Sequence, residues 1–423
     1  MEVIGLKRWI GFGLTFALIS SLFGSVSAKD PVSSPPKSNV QTGLDVILSD
    51  PDQLKGKKVG LITNPTGMSR DYRHGLDAMM DKGIHVVKVY GPEHGVRGVE
   101  QAGETPDSYI DPRSGLPFVN LYGKKPKEMA PLFDGVDILV FDIQDVGTRF
   151  YTYIYTMAYA MEAANMADKP FMVLDRPNPI GGEKVEGPVL DPDEASFVGL
   201  FPIPQRHGMT IGELALLFNG EFLSKKTDLK VVPLKGWKRW KSYDAHKLPW
   251  VMPSPNMPTL ETALVYPGTG MFEGTNLSEG RGTTKPFQLV GAPYIKGWEL
   301  TESLNSRGLP GVSFREAYFV PTFSKYKGKQ VGGVEVHVED PQTFSPVLTG
   351  VAMIQEVKRL YPEQFAWHKE GQSYWIDKLT GSDRLRKQID EGVPTYRIEA
   401  GWKKDLAAFM EIRKNYLIYP EKK

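Results

Sequence analysis

The stretch Asp137-Ile138-Leu139-Val140-Phe141-Asp142-Ile143 decides the fold. It has the length of a strand, it is apolar at odd and even positions alike, and a carboxylate stands near its end. An extended chain sends successive side chains to opposite faces, so a run that is apolar throughout must be covered on both sides, as a central strand of a parallel sheet is. Phe171-Met172-Val173-Leu174-Asp175-Arg176 repeats the arrangement. Residues 151–166 between them read as a helix, which completes a strand–helix–strand unit.

Working outward, residues 58–63 and 85–90 read as strands around a helix near 72–82, and residues 118–122 as a strand followed by a short helix over 126–132. On the other side, Thr210 with Glu213 three residues later makes a capping box for a further helix, and residues 229–233 read as another strand. The expected fold class is α/β, with a Rossmann-like parallel-sheet domain over residues 44–255, a smaller C-terminal α+β domain over 256–423, and the active-site cleft between them. The tract 250–291 is rich in Pro, Gly and Thr and reads as loop, with residues 266–287 expected to line the cleft. Beyond it, a helix after Trp298, a strand at 333–338, a helix near 347–360 and a helical end at 404–415 are expected.

The chain starts with Lys7 and Arg8, an apolar run over residues 9–23, and Val26-Ser27-Ala28. This predicts a secretory signal peptide over residues 1–28, cleaved after Ala28, and hence a secreted or cell-wall-associated protein. Residues 29–43, rich in Pro and Ser, read as a flexible tether. Cysteine is absent from all 423 residues, which excludes disulfides, zinc–thiolate sites, iron–sulfur clusters and thiol nucleophiles. With 51 Lys plus Arg against 50 Asp plus Glu there is no global field to draw in nucleic acid.

Parallel strands deliver their C-terminal ends to one rim, where open α/β sheets hold ligands. Asn64 follows the first strand. Glu93 and His94 follow the second, on the stiffened loop Gly91-Pro92-Glu93-His94-Gly95. Asp142, Asp145 and Arg149 follow the third, and Asp175 and Arg176 the fourth. Each has a bland alternative: Asp142 and Asp175 suit turn acceptors, Arg149 suits an ion pair with Asp145, and His94 suits an orienting role. No G-x-G-x-x-G or Gly-Lys-Ser/Thr loop follows a strand, so no nucleotide cofactor is expected, and no G-x-S-x-G elbow occurs. The histidines are dispersed, with no H-E-x-x-H or H-x-H pair, so no metal is signalled, although His94, Asp142 and His207 stay open as a set that could hold one. What remains is carboxylate chemistry supported by Arg, Asn and His, which is what glycoside hydrolysis requires.

The phrases LITNPTG, YGPEHGVRG, FDIQDVGTRFYTY, LDRPNPIGG, RHGMTIGELA, PSPNMPT and EGTNLSEGRGTTKPF, in this order, resemble those of the bacterial exo-β-N-acetylmuramidases, glycoside hydrolase family 171. The resemblance runs from about Gly43 to the C-terminus. It implies an enzyme that removes N-acetylmuramic acid from the non-reducing ends of peptidoglycan fragments, with no metal or nucleotide. On that reading Glu93 is the first choice for general acid, with Glu273 or Glu279 next. Asp142 and Asp145 compete for the second acidic role or orient the substrate's acetamido group. Arg149, Arg176 and Arg281 are candidates to grip the lactyl carboxylate. Tyr151, Tyr153 and Asn276 would line the sugar pocket, and Asn64, Asp175, His207, Asn256, Glu273 and Glu279 complete the expected substrate-binding set. Two rivals stay open: a non-catalytic cell-wall glycan-binding module, and an amidase or esterase on the same polymer.

Overall fold

In chain order, β1 (Val59–Thr63), β2 (Val86–Gly91), β3 (Tyr109–Ile110), β4 (Pro117–Asn120), β5 (Ile138–Asp142), β6 (Phe171–Leu174), the hairpin of β7 (Glu186–Val189) with β8 (Pro204–Arg206), and β9 (Leu229–Val232) supply the strands of the N-terminal part. Seven of them form one sheet in the order β3-β4-β2-β1-β5-β6-β9. It is parallel except at its edge, where β3 runs antiparallel to β4. The path reverses at β1: β2 and β4 lie to one side of it, β5, β6 and β9 to the other. That reversal opens a crevice beyond the strand ends, the usual ligand position in such sheets. The computed structural model describes residues 38–96 and 108–422, so the signal-peptide reading of residues 1–28, and Arg97 and Gly98 of the quoted loop, lie outside the described residues.

β5 shows why the continuous apolar run is needed. Ile138 and Val140 join a cluster with Leu44 and Ile47 of α1 (Gly43–Ser49) and Leu76 and Met79 of α2 (Gly75–Asp81). Leu139 and Phe141 face the opposite cluster with Met129 of α3 (Pro126–Met129), Ile154 and Met157 of α4 (Tyr153–Met166) and Leu214 of α5 (Ile211–Leu217). Both faces of the strand are therefore dry. Removing a side chain such as Phe141 would cost about 3–5 kcal/mol.

The C-terminal part contributes α6 (Leu260–Thr269), β10 (Leu289–Ala292), α7 (Gly297–Ser306), β11 (Val312–Phe319), β12 (Val331–Val338), α8 (Pro346–Leu360), α9 (Trp375–Thr380), α10 (Arg384–Asp390) and α11 (Thr395–Arg413). Its antiparallel sheet has the order β10-β12-β11. Val290, Val334, Val351 and Ile354 continue the same apolar cluster that covers one face of the large sheet. The two parts share a core.

Three expectations need correction. The stretch read as tether is packed from Ser38 onward: Val40 is buried with Leu234, Trp237 and Tyr419, and Gln41 pairs with Lys235, because an apolar residue among the polar ones finds a pocket to fill. The tract read as loop contains α6, started by the Thr259 side chain accepting from the Thr262 amide, with Pro267 falling in its last turns. Helix α11 begins at Thr395, directly after Pro394, rather than at 404.

Candidate active site

Beyond the strand ends lies a cavity of about 290 Å³ whose wall takes Glu93 and His94 from the loop after β2, residues 150–153 from the entry to α4, Ser254, Asn256 and Met257 from the PSPNMPT phrase, Glu273, Arg281 and Phe287 from the following tract, and Trp375 from α9. Both parts of the chain build it.

The loop after β2 is a tight turn. The Gly95 amide donates to the Pro92 carbonyl at 3.0 Å, and His94 adopts φ 70°, a left-handed conformation that costs a side-chain-bearing residue energy. The turn keeps Glu93 half-buried with its carboxylate at the start of α4. There Thr152, the N-cap residue, donates its hydroxyl to Glu93 Oε2 at 3.0 Å. The positive end of a helix favours a carboxylate in that position. Burial, and then Glu93 beside it, push the Tyr122 phenol up to about 12, so Tyr122 stays a donor toward the carboxylate. The connection that brings Thr152 there turns at Gly147, with φ 84°, where a Cβ would come within 2.5 Å of Asn178 Oδ1.

Aromatic rings stiffen the wall. Tyr151 meets Tyr153 edge-on at 4.9 Å and Tyr266 at 5.9 Å, and Tyr266 meets Phe150 at 5.2 Å and Phe287 at 4.6 Å. Tyr153 is further fixed by its hydroxyl, which donates to the Pro253 carbonyl at 2.5 Å. Rings locked edge to face present apolar surface with little mobility, as a sugar-binding wall requires. Arg281 lies over Phe287 at 5.0 Å and is clamped by two carboxylates, Nη2 to Glu273 Oε1 at 3.0 Å and Nε to Glu279 Oε1 at 3.4 Å. Glu279 is itself buried and bound by Lys325 at 3.1 Å, so it supports Arg281 from behind the wall.

The expected single cluster of carboxylates is divided. Glu93, His94, Tyr151, Tyr153, Asn256, Glu273 and Arg281 share the cavity. Asp142, Asp145, Asp175 and Arg176 do not line it. Asp142 is fully buried and grips Arg176 with both oxygens, 2.6 Å to Nε and 2.9 Å to Nη2. Arg176 also reaches the Met68 carbonyl, so its fork is occupied. Asp175 accepts from Thr210 at 2.9 Å, from the Gly212 amide at 2.7 Å and from the Tyr419 hydroxyl, tying the chain's end to the start of α5. Burial, with Glu213 nearby, pushes the Asp175 carboxyl up to about 7. Asp145 Oδ2 accepts from the Gly147 amide at 2.7 Å and faces His207 Nε2 at 3.2 Å. His207 Nδ1 accepts from the Met209 amide at 3.2 Å, which places the imidazole proton on Nε2, toward Asp145. Among the described residues no group of three or more His, Asp or Glu is arranged to hold a metal.

Three further candidates have structural partners instead. Arg149 is completely buried and donates to the carbonyls of Pro188, Ile203 and Leu379 at 2.7–2.9 Å, which fastens α9 to the β7–β8 hairpin; burial pushes it down to about 10. Asn276 donates to the Gln364 carbonyl at 2.7 Å and accepts from Tyr294 and the Ala366 amide, each at 3.1 Å. Asn64 Oδ1 accepts from the Thr66 amide at 2.9 Å and closes the turn after β1. In the wall but not anticipated are Tyr122, Thr152, Phe197, Ser254 and Trp375. Tyr122 follows a parallel strand and was open to the strand-end rule; Trp375 comes from a distant helix and left no local sign.

A carboxylate poised at a helix start, a second carboxylate paired with arginine, and rigid aromatic walls at the switch point of a parallel sheet are features that a hydrolase of carbohydrate needs. Family models described as exo-β-N-acetylmuramidase NamZ, N-terminal and C-terminal, match residues 59–261 and 264–419. The chain belongs to that family and is a glycoside hydrolase. It is 53% identical over 408 residues to the peptidoglycan β-N-acetylmuramidase NamZ of Bacillus subtilis (strain 168), covering 96% of this chain and 97% of the relative. Crystal structures of two DUF1343 family proteins from Bacteroides fragilis NCTC 9343 are similar: one at 39% identity with a TM-score of 0.84, the other at 33% and 0.74. Each comparison covers 91% of this chain and 100% of theirs.

Proposed function

We propose that this enzyme acts outside the cytoplasm, after cleavage behind Ala28, and releases N-acetylmuramic acid from the non-reducing ends of peptidoglycan fragments in cell-wall turnover. The observation that carries the reading is the Glu93 carboxylate, held by Thr152 at the start of α4 on the wall of an aromatic cavity that also contains Arg281.

Glu93 protonates the departing glycosidic oxygen, since it is half-buried at the cavity edge and its loop is fixed by the turn at His94. Among the described residues the other carboxylate of the wall is Glu273. It stabilises the oxocarbenium-like centre or orients the substrate's acetamido group if that group is the nucleophile. Asp142 and Asp145 are no longer suited to this task, because one is spent on Arg176 and neither reaches the cavity wall. Arg281 gives Nη2 and Nε to its two carboxylates and offers Nη1 to the lactyl carboxylate.

The test is product analysis on the disaccharide of N-acetylmuramic acid β-1,4-linked to N-acetylglucosamine, with and without a stem peptide. Free N-acetylmuramic acid supports the reading. Released peptide with an intact disaccharide would make the enzyme an amidase, and an unchanged disaccharide would make it a binding module. Periplasmic or culture-medium fractions carrying a chain that begins at Lys29 would support export.

A further inference from the structure

A second cavity, of about 270 Å³, adjoins the first and shares Tyr122, Thr152 and Phe197 with it. Two of these three are the side chains that hold Glu93: Thr152 through its hydroxyl and Tyr122 through its phenol. Glu93 therefore stands at the seam between two chambers, each large enough for one pyranose ring. A general acid has to occupy that position, because the oxygen it protonates joins the sugar being attacked to the sugar being expelled.

The chambers differ in chemistry. The first holds Glu93, Glu273, Arg281, His94 and Asn256, the groups that an oxocarbenium-like centre and an anionic lactyl substituent need. Among the described residues the second has no carboxylate in its wall. Its floor is Met129, Tyr155 and Thr156, its side is the half-buried Tyr159, and Lys124 and Lys125 stand around it. Lys125 Nζ donates to the Tyr159 hydroxyl at 3.2 Å and lies 5.1 Å from its ring centroid, which holds that ring in place beside the opening.

Resting on the function proposed above, we propose that this second chamber is the leaving-group subsite: it receives the neutral N-acetylhexosamine expelled from the cleaved bond, stacked on Tyr159. No covalent step is added. The sugar leaves with the proton from Glu93 on its 4-oxygen, and water supplies the hydroxyl at the muramyl anomeric carbon while its remaining proton restores the acid form of Glu93.

The experiment compares two substrates that share the muramyl group and differ in what departs: the natural disaccharide and N-acetylmuramyl fluoride, whose leaving group has no ring to stack. In Tyr159→Ala the ratio of kcat/KM for disaccharide over fluoride should fall on the order of tenfold, the stack being lost only where a sugar leaves. Tyr159→Phe, which keeps the ring, should restore the ratio. A ratio unchanged in Tyr159→Ala, with the variant folded by circular dichroism, overturns the subsite. If the wild-type enzyme cleaves the fluoride and not the disaccharide, the subsite fails while the muramidase reading stands. If it cleaves neither, both fail.

Discussion

Two polar regions sit at the same sheet rim and look alike in sequence, yet they do opposite things. Beyond β2, Glu93 is half-buried, accepts from the Thr152 hydroxyl, and faces a cavity. Beyond β5 and β6, Asp142, Arg176 and Asp175 are almost wholly buried and bonded to one another, to carbonyls and to the chain's last residues. A charged group whose hydrogen-bonding capacity is consumed by the protein has none left for a substrate. What separates Glu93 from these braces is therefore its place on a cavity wall rather than inside a buried network, and such a network depends on partners distant in sequence: Tyr419 lies 244 residues from Asp175.

The largest expected effect breaks the comparison on the cavity side. Glu93→Gln removes the proposed proton donor while retaining size and the bond from Thr152, so kcat/KM on the disaccharide should fall about 10²–10⁴-fold with the melting temperature little changed. Activity near that of the wild type would move the acid role to Glu273. On the brace side the outcome should invert. Asp142→Ala leaves the Arg176 guanidinium buried without its carboxylate, which costs about 3–5 kcal/mol of stability, read from the urea midpoint. The double variant Asp142→Leu with Arg176→Met should recover a large part of it. If Asp142→Ala lost turnover while keeping full stability, Asp142 would belong to the site after all.

This division explains what was legible in the sequence. Alternation and apolar runs report burial along one strand, so the parallel sheet, the capping box at Thr210 and the placement of Glu93 on a rim loop could be read locally. Helix α6 escaped because Pro, Gly and Thr outweigh its short apolar pattern, although Thr259 is an ordinary N-cap. Arg149, Arg176 and Arg281 were equivalent as residue types; only the fold shows that the first is consumed by three carbonyls and the second by Asp142, while the third lines the cavity. Trp375 and Phe197 came to the wall through tertiary packing, for which no short-range pattern exists.

The brace also carries a pH signature. Asp175 is raised to about 7 by burial, against about 4 for an exposed aspartate in the unfolded chain. Below pH 4 both states hold the proton. Between about pH 4 and 7 the unfolded chain has released a proton that the folded protein retains, so this group's contribution to stability declines as pH rises, by on the order of 4 kcal/mol in all. Urea unfolding at pH 5 and pH 7.5 should show that decline in the wild type and a smaller one in Asp175→Asn. An equal decline in both would mean that Asp175 is ionised in the folded state throughout.

The smallest effect concerns recognition, and it sharpens the contrast among the three arginines. The lactyl group that distinguishes muramic acid from N-acetylglucosamine is a carboxylate, and among the described residues Arg281 is the guanidinium in the cavity wall, which makes it the proposed partner. A charge-assisted hydrogen bond of this kind contributes about 1.5–3 kcal/mol, or on the order of 10–150-fold in selectivity. Arg281→Lys keeps the charge near Glu273 and Glu279 but loses the planar fork, so it should retain a reduced preference; Arg281→Ala should nearly abolish it. Arg149→Ala and Arg176→Ala should instead lower stability and leave the muramyl-to-glucosaminyl ratio of kcat/KM where it was, because neither guanidinium faces the cavity. A ratio that stays constant in Arg281→Ala, or one that shifts in Arg176→Ala, would mean that the lactyl carboxylate is recognised from another part of the crevice.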